Sequence, residues 1–294
     1  MAKVLGIGIA TLDWVHLVEQ YPVIDSEVRA EQQHLWRGGN ATNTLVVLSQ
    51  LAEQCSWLGT LADDAFADLI CADLEKHHID YSLCPRISNS ISPASHILLS
   101  QESSSRNIVH YRELRELNEQ DSDGIDFSQW DWLHFEGRNI ETTLKLMCHV
   151  KKKYPSLIIS LEIEKPRDGI TQLYEYADNL LFSRRFIESE GYNNAEAFLR
   201  QLQSTLSRPR DLICAWGSRG ARGLSIDGIY SEVPAMEVEV IDTRAAGDVF
   251  NAGYIHARLR GDDFAKSLQQ ACQLSGLKCA QLGLDNIKVS KLSD

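Results

Sequence analysis

The chain has 294 residues, 44% hydrophobic and 24% charged, enough apolar material for one large folded unit or two and too much for a disordered chain. Its formal net charge of −12 argues against a protein that works on nucleic acid or anionic membrane, since both reward a basic surface. Seven cysteines, scattered and with no Cys-x-x-Cys pair, point to reduced, mostly buried thiols and a cytosolic setting.

Residues 1–10 are too short and too glycine-rich for the apolar core of a signal sequence. No apolar run approaches the ~18 residues of a membrane span, so a soluble, cytoplasmic protein is expected. Residues 3–10 read as a buried strand, and 40–53 as a helix entered through Gly38, Gly39 and Asn40. A strand over 55–59, a helix over 64–77, a short strand near 79–84 and strands over 94–100 and 107–112 follow. Then strands over 132–136, 157–162, 179–183 and 211–215 alternate with helices over 141–153, 169–177 and 193–206. This alternation predicts an α/β fold with a central, mainly parallel sheet covered by helices on both faces. Residues 221–241 interrupt it as two short strands around Asp227-Gly228, a hairpin signal. Residues 13–37 and 94–112 are rich in β-branched and aromatic residues with polar ones interleaved, and predict a small antiparallel flap on the main body. No repeat, low-complexity tract or Pro/Gly/Ser linker divides the chain, so residues 1–294 are expected to form a single domain.

The most informative segment is Asp242-Thr243-Arg244-Ala245-Ala246-Gly247-Asp248-Val249-Phe250-Asn251. Val238 to Asp242 alternates like a strand, and Phe250 to Arg260 is apolar at helical spacing, which places small residues at a strand-to-helix junction. Free N–H groups and the positive end of a helix dipole suit a phosphate there. Asp248 would repel that phosphate, so its presence suggests a general base facing a hydroxyl, with helix capping as the plain alternative. Asp13, and Asn40 with Asn43 one helical turn away, carry the short, stiff side chains that bind vicinal hydroxyls, although Asn40 and Gly39 would also serve as cap and turn. Gly6-x-Gly8 lacks the third glycine of a dinucleotide loop, and no Gly-Lys-Ser/Thr is present. Glu162 and Glu164 leave one strand face near its end, where they could touch hydrated Mg²⁺, meet solvent, or pair with Lys165 and Arg167. His134 belongs to no hydrolase motif and reads as structural.

Asp242 to Asp248 resembles the Asp-Thr-x-Gly-Ala-Gly-Asp signature of the PfkB/ribokinase family of sugar kinases, and Arg37-Gly38-Gly39-Asn40-Ala41-Thr42-Asn43 resembles its Gly-Gly-Asn segment. The likeness extends through Thr11-Leu12-Asp13, Tyr21-Pro22, Asp25-Ser26-Glu27, His134 to Asn139, Glu162 to Arg167, Cys214-Ala215-Trp216 and Lys278-Cys279. It is greatest toward kinases of ketohexoses such as fructose. The resemblance implies a ribokinase-like fold, ATP and Mg²⁺ as cofactors, and transfer of the γ-phosphoryl group to a sugar hydroxyl. Ribose, another furanose sugar or a nucleoside are alternative acceptors, and a catalytically weakened sugar-binding or regulatory protein is the rival from another class. It places the base on Asp248 and the anion hole on Ala245, Ala246 and Gly247. Sugar contacts fall on Asp13, Asp25, Gly39, Asn40 and Asn43, and ATP contacts on Gly217, Ser218, Arg219 and Gly220, with Arg106 reaching in from the lid. Glu164 is implied as a water-mediated Mg²⁺ contact, and the lid strands as the interface of a homodimer. Ala245 stands where the family has glycine; a positive φ there would cost about 1 kcal/mol or more.

Overall fold

In the computed structural model, residues 1–103 and 105–287 are described, and 21 strands and helices follow one another in the order below. β1 (Lys3–Ile7), β2 (Thr11–Val18), β3 (Gln32–Gly38), α1 (Asn40–Gln50), β4 (Gln54–Leu58), β5 (Leu61–Ala62), α2 (Ala65–Lys76), β6 (Arg86–Ile87), β7 (Ala94–Ser100) and β8 (Ser105–Tyr111) make the first part. β9 (Trp132–Glu136), α3 (Ile140–Lys153), β10 (Ile158–Ile163), β11 (Asn179–Ser183), α4 (Arg184–Ser189), α5 (Ala195–Thr205), β12 (Asp211–Ala215), β13 (Ala221–Leu224), β14 (Tyr230–Val233), α6 (Ala246–Leu259) and α7 (Phe264–Cys279) complete it.

Eight strands form the main sheet in the order β14-β13-β12-β11-β10-β9-β1-β4, parallel from β12 to β4, with β13 and β14 added as an antiparallel hairpin. Its strands are apolar on both faces, as a doubly covered sheet requires. One face packs Leu5, Leu133, Ile159, Leu161 and Leu180 against α3, α4 and α5, through Met147, Ile187 and Leu199. The other packs Val4, Trp57 and Trp132 against α1, α2 and α6, while Leu181 and Ile213 meet α6 and α7. The last two helices approach closely because Gly253 has no side chain: a Cβ there would lie 2.9 Å from the Cα of Ala271. A second, four-stranded sheet in the order β3-β2-β7-β8 stands apart as the lid; it is mixed, not antiparallel throughout as expected, because β2 and β7 pair in parallel. Three expected elements differ. Residues 238–242 form no strand, 79–84 extend only at Asp80, which bridges Ser56 of β4 before the chain turns, and 170–176 wind as a 3₁₀ helix.

Candidate active site

α6 begins at Ala246, preceded by Ala245 at φ +55°, ψ 10°, a left-handed conformation that lets the chain turn into the helix without a side-chain cap. The strain anticipated for alanine is therefore present in the structure. Upstream, the amide of Ile241 donates to the carbonyl of Cys279, so Val238–Asp242 lies against the end of α7 and the junction is loop-to-helix. Asp242 fixes the turn. Its Oδ1 accepts from Arg244 Nε at 2.8 Å, and its Oδ2 accepts from Arg244 Nη2 at 3.0 Å and from the buried Lys278 Nζ at 2.7 Å. Burial pushes its carboxyl up, but the hydrogen bonds from Arg244 and Lys278 outweigh that and hold it at about 2. Arg244 also stacks over the Trp36 ring of the lid, 4.1 Å from its centroid, which ties the turn to β3. Its charge is thus already engaged by Asp242.

Asp248, third residue of α6, does not cap the helix. Its Oδ2 accepts from Asn43 Nδ2 at 2.7 Å, and Asn43 in turn presents Oδ1 to Arg37 Nη1 at 2.9 Å. The amides of Gly247 and Asp248 have no partner among the described residues, and a Cβ at Gly247 would meet nothing within 4 Å. Together these leave an open, electropositive helix start beside a carboxylate. Burial raises the Asp248 carboxyl well above the usual range; Asn43 and Arg37 oppose the shift, Glu164 and Glu136 add to it. A raised pKa makes a carboxylate a better proton acceptor.

The N-terminal segment meets this helix through α1. Gly39, at φ +110°, is the residue before the helix, and a Cβ on it would stand 2.1 Å from the carbonyl oxygen of Ile9, so only glycine fits. Asn40 is consequently free of capping duty: its Nδ2 donates to Glu162 Oε1 and Glu164 Oε2, both at 3.1 Å. Gly38 makes room for Asp13, whose Oδ2 would lie 2.4 Å from a Cβ at that position. Asp13, on the lid, accepts a hydrogen bond from Ser95; burial raises its carboxyl, and Ser95, Arg37 and Arg244 oppose that shift. Ser95 also pairs with His110 Nδ1 at 3.1 Å, so a row of polar groups lines one face of the lid.

Asp13, Gly39, Asn40, Asn43, the 245–248 turn and Glu164 are thereby linked in one cluster at the C-terminal ends of β9 and β10, where ligands of such sheets bind. Gly217, Ser218 and Arg219 form a 3₁₀ turn just after β12, at the same edge, with Gly220 at φ +82° closing it. Arg219 lies 5.3 Å over Trp216. Two expected residues are not brought in. Asp25 sits in an exposed loop at φ +63°, and Arg106 on the exposed strand β8; neither makes a hydrogen bond or ion pair with this cluster among the described residues. Glu136, which lies in the matched His134 to Asn139 segment but is assigned no role by it, is buried and accepts from the amide of Ala41 at 2.8 Å. Its signal was Gly8, where a Cβ would stand 2.5 Å from the Glu136 carboxyl; that glycine serves a carboxylate, not a dinucleotide. His134 is fully buried, bonded through Nδ1 to Ser160 at 2.8 Å, and held neutral by burial, its pKa pushed down to about 4.

The family profile described as pfkB family carbohydrate kinase matches residues 1–291. The ketohexokinase of Mus musculus is 33% identical over 293 residues, covering 97% of this chain and 98% of that one. Ribokinase from Thermotoga maritima superposes with a TM-score of 0.80 at 19% identity, over 98% of this chain and 96% of that one. Ribokinase from Cryptococcus neoformans var. grubii, solved in complex with ADP, gives 0.78 at 15% identity, over 98% and 99%. The chain belongs to the pfkB family and is an ATP-dependent carbohydrate kinase with a ribokinase-like fold.

Proposed function

We propose that this kinase phosphorylates a ketohexose such as fructose, with Asp248 as general base and the 245–248 turn as anion hole. The observation that carries the chemistry is the Asn43–Asp248 bond of 2.7 Å at the mouth of the unpaired α6 amides. One carboxylate oxygen is clamped; the other is left to take a proton from a sugar hydroxyl as that oxygen attacks the γ-phosphorus of ATP. The amides beside it would stabilise the charge that collects on the transferring group, and β3 and β7 would exclude water from above. Asp13, Asn40 and Asn43 would hold the sugar's hydroxyls, and Gly217 to Gly220 the nucleotide. Identity to the mouse ketohexokinase over nearly the whole of both chains supports a ketohexose over ribose.

Among the described residues no group of three or more His, Cys, Asp or Glu is arranged to hold a metal directly. A hydrated Mg²⁺ fits better: Glu162 Oε2 is buried without a partner, and the exposed Glu164 lies beside it on Asn40. When bound with ATP, Mg²⁺ would offset phosphate charge. We read residues 1–294 as one domain, since the lid residues Arg37 and Trp36 are tied to Asp73, Asn43 and Arg244 of the body, and a cytoplasmic location agrees with seven free cysteines. A homodimer through the lid is supported by the exposed apolar side chains Ile108, Val109 and Tyr111 on the edge strand β8. A weakened sugar-binding protein is favoured by one feature only, the strained Ala245. ADP release from Mg-ATP against fructose, tagatose, ribose, sugar phosphates and nucleosides separates these readings. Strong turnover on fructose is the expected outcome; thermal stabilisation by sugar without turnover would favour the binding protein.

A further inference from the structure

Arg37 is the last residue but one of β3, and its side chain is 2% exposed. An arginine so buried must satisfy its donors within the protein. Its Nε donates to Asp73 Oδ2 of α2 at 2.7 Å. Its Nη1 donates to Thr42 Oγ1 at 2.6 Å and to Asn43 Oδ1 at 2.9 Å. Thr42 Oγ1 meanwhile bonds to the carbonyls of Gly38 and Gly39, at 3.1 and 3.0 Å. One guanidinium therefore joins the lid strand, the glycine pair, the first turn of α1 and α2.

The consequence for Asn43 follows from donor chemistry. A guanidinium has donors only, so the carboxamide must turn its oxygen to Arg37, which leaves Nδ2 as the atom facing Asp248. A flipped amide would set a donor against Arg37 and an acceptor against a carboxylate, losing both bonds. The side chains facing Asp248 are Asn43 from α1, Arg37 from β3, Glu136 from β9, and Glu162 and Glu164 at the end of β10. Arg138 pairs with Glu136 at 3.3 Å and Lys165 with Glu164 at 3.5 Å, and Arg37 is the cation that opposes the rise of the Asp248 carboxyl.

We propose that Arg37 is a positioning residue for phosphoryl transfer: it locks the Asn43 carboxamide in one orientation and so aims the free oxygen of Asp248 at the acceptor hydroxyl. Arg37 would act through Asn43, since its Nε and Nη1 are engaged by Asp73, Thr42 and Asn43. The inference rests on Asp248 being the base.

The test compares wild type, Arg37→Met, Arg37→Lys, Asp73→Asn and Asp248→Asn in Mg-ATP with fructose, or with whichever sugar of the panel turns over fastest. Circular dichroism establishes folding. Loss of the clamp should lower kcat in Arg37→Met about 100-fold, the scale of a misplaced reacting group, with KM for ATP within about twofold of wild type. The acid limb of kcat/KM should move to higher pH in Arg37→Met, because a cation beside the base is lost, and return partway in Arg37→Lys. Asp73→Asn, at a partly exposed position, should lower kcat in the same direction but less. A purely structural arginine would lower stability and leave the acid limb where it is. An unmoved limb and unchanged kcat in folded Arg37→Met overturns the proposal; if that variant does not fold, the same result in both Arg37→Lys and Asp73→Asn overturns it. Asp248→Asn keeps the two ideas apart. If it is inactive while the Arg37 variants behave as wild type, the base stands and the positioning role falls; if it turns over normally, the assignment of the base itself fails.

Discussion

Replacing Ala245 by glycine tests whether the turn is strained and whether the strain matters to the reaction. Ala245 holds φ +55°, where an L side chain costs about 1–2 kcal/mol and glycine costs nothing. Glycine gives back about 0.4–1 kcal/mol through the greater freedom of the unfolded chain, which leaves a net gain of about 0.5–1 kcal/mol. Divided by the unfolding entropy of a chain of 294 residues, that is a rise in Tm of about 1–2 °C, measurable by calorimetry. Turnover should rise as well, by between about 2- and 10-fold, since the methyl group is removed from the rim of the anion hole. Arg244 stays on Asp242 and Trp36 in the variant, so its effect is held constant. A lower Tm would refute the strain argument. A raised Tm with unchanged or reduced kcat would keep the strain and refute the crowding.

Gly38→Ala places a methyl 2.4 Å from the position of Asp13 Oδ2, so the carboxylate must move; KM for the sugar should rise at least about 10-fold while KM for ATP changes little, as read by steady-state kinetics. His134 is neutral in the fold, with a pKa of about 4 against 6.5 unfolded. Because its folded value is depressed, its contribution is fully present above pH 6.5 and is lost as pH falls from 6.5 toward 4, about 3 kcal/mol in all. Urea unfolding of His134→Gln should show a flatter stability profile between pH 7 and pH 5; an unchanged slope would remove His134 from the acid limb. Sedimentation should give a dimer for the native chain and monomer for Val109→Lys, whose side chain is 71% exposed on β8. A monomeric native chain would reject the lid interface.

Much of this site was legible because its parts are contiguous. The glycine pair before Asn40, and the small-residue turn before Asp248, each announce a helix start and a close approach within a few residues of sequence. What failed was of two kinds. Val238 to Asp242 alternates in polarity yet pairs through Ile241 with the end of α7, an edge that no local pattern encodes; Val240 and Ile241 are each 62% exposed. Likewise Ile79 is buried in a turn that resembles a strand when only its apolar residues are counted. The second kind is distance along the chain. Arg37 meets Asp73, Glu136 meets Ala41 95 positions away, and Asn43 meets Asp248 205 positions away. Asp13 and Ser95 come together only because β2 and β7 pair in parallel. The fold leaves Asp25 and Arg106 on exposed segments, with no hydrogen bond or ion pair to the Asp248 cluster among the described residues.

The most direct test of Asp248 is ADP release from Mg-ATP and fructose by Asp248→Asn against wild type, with ATP affinity measured on both. Asparagine preserves size and removes the proton acceptor, so kcat should fall at least about 100-fold while ATP binds as before. Turnover near the wild-type rate would contradict the account, because a carboxylate clamped by Asn43 beside unpaired helix amides would then not be the base.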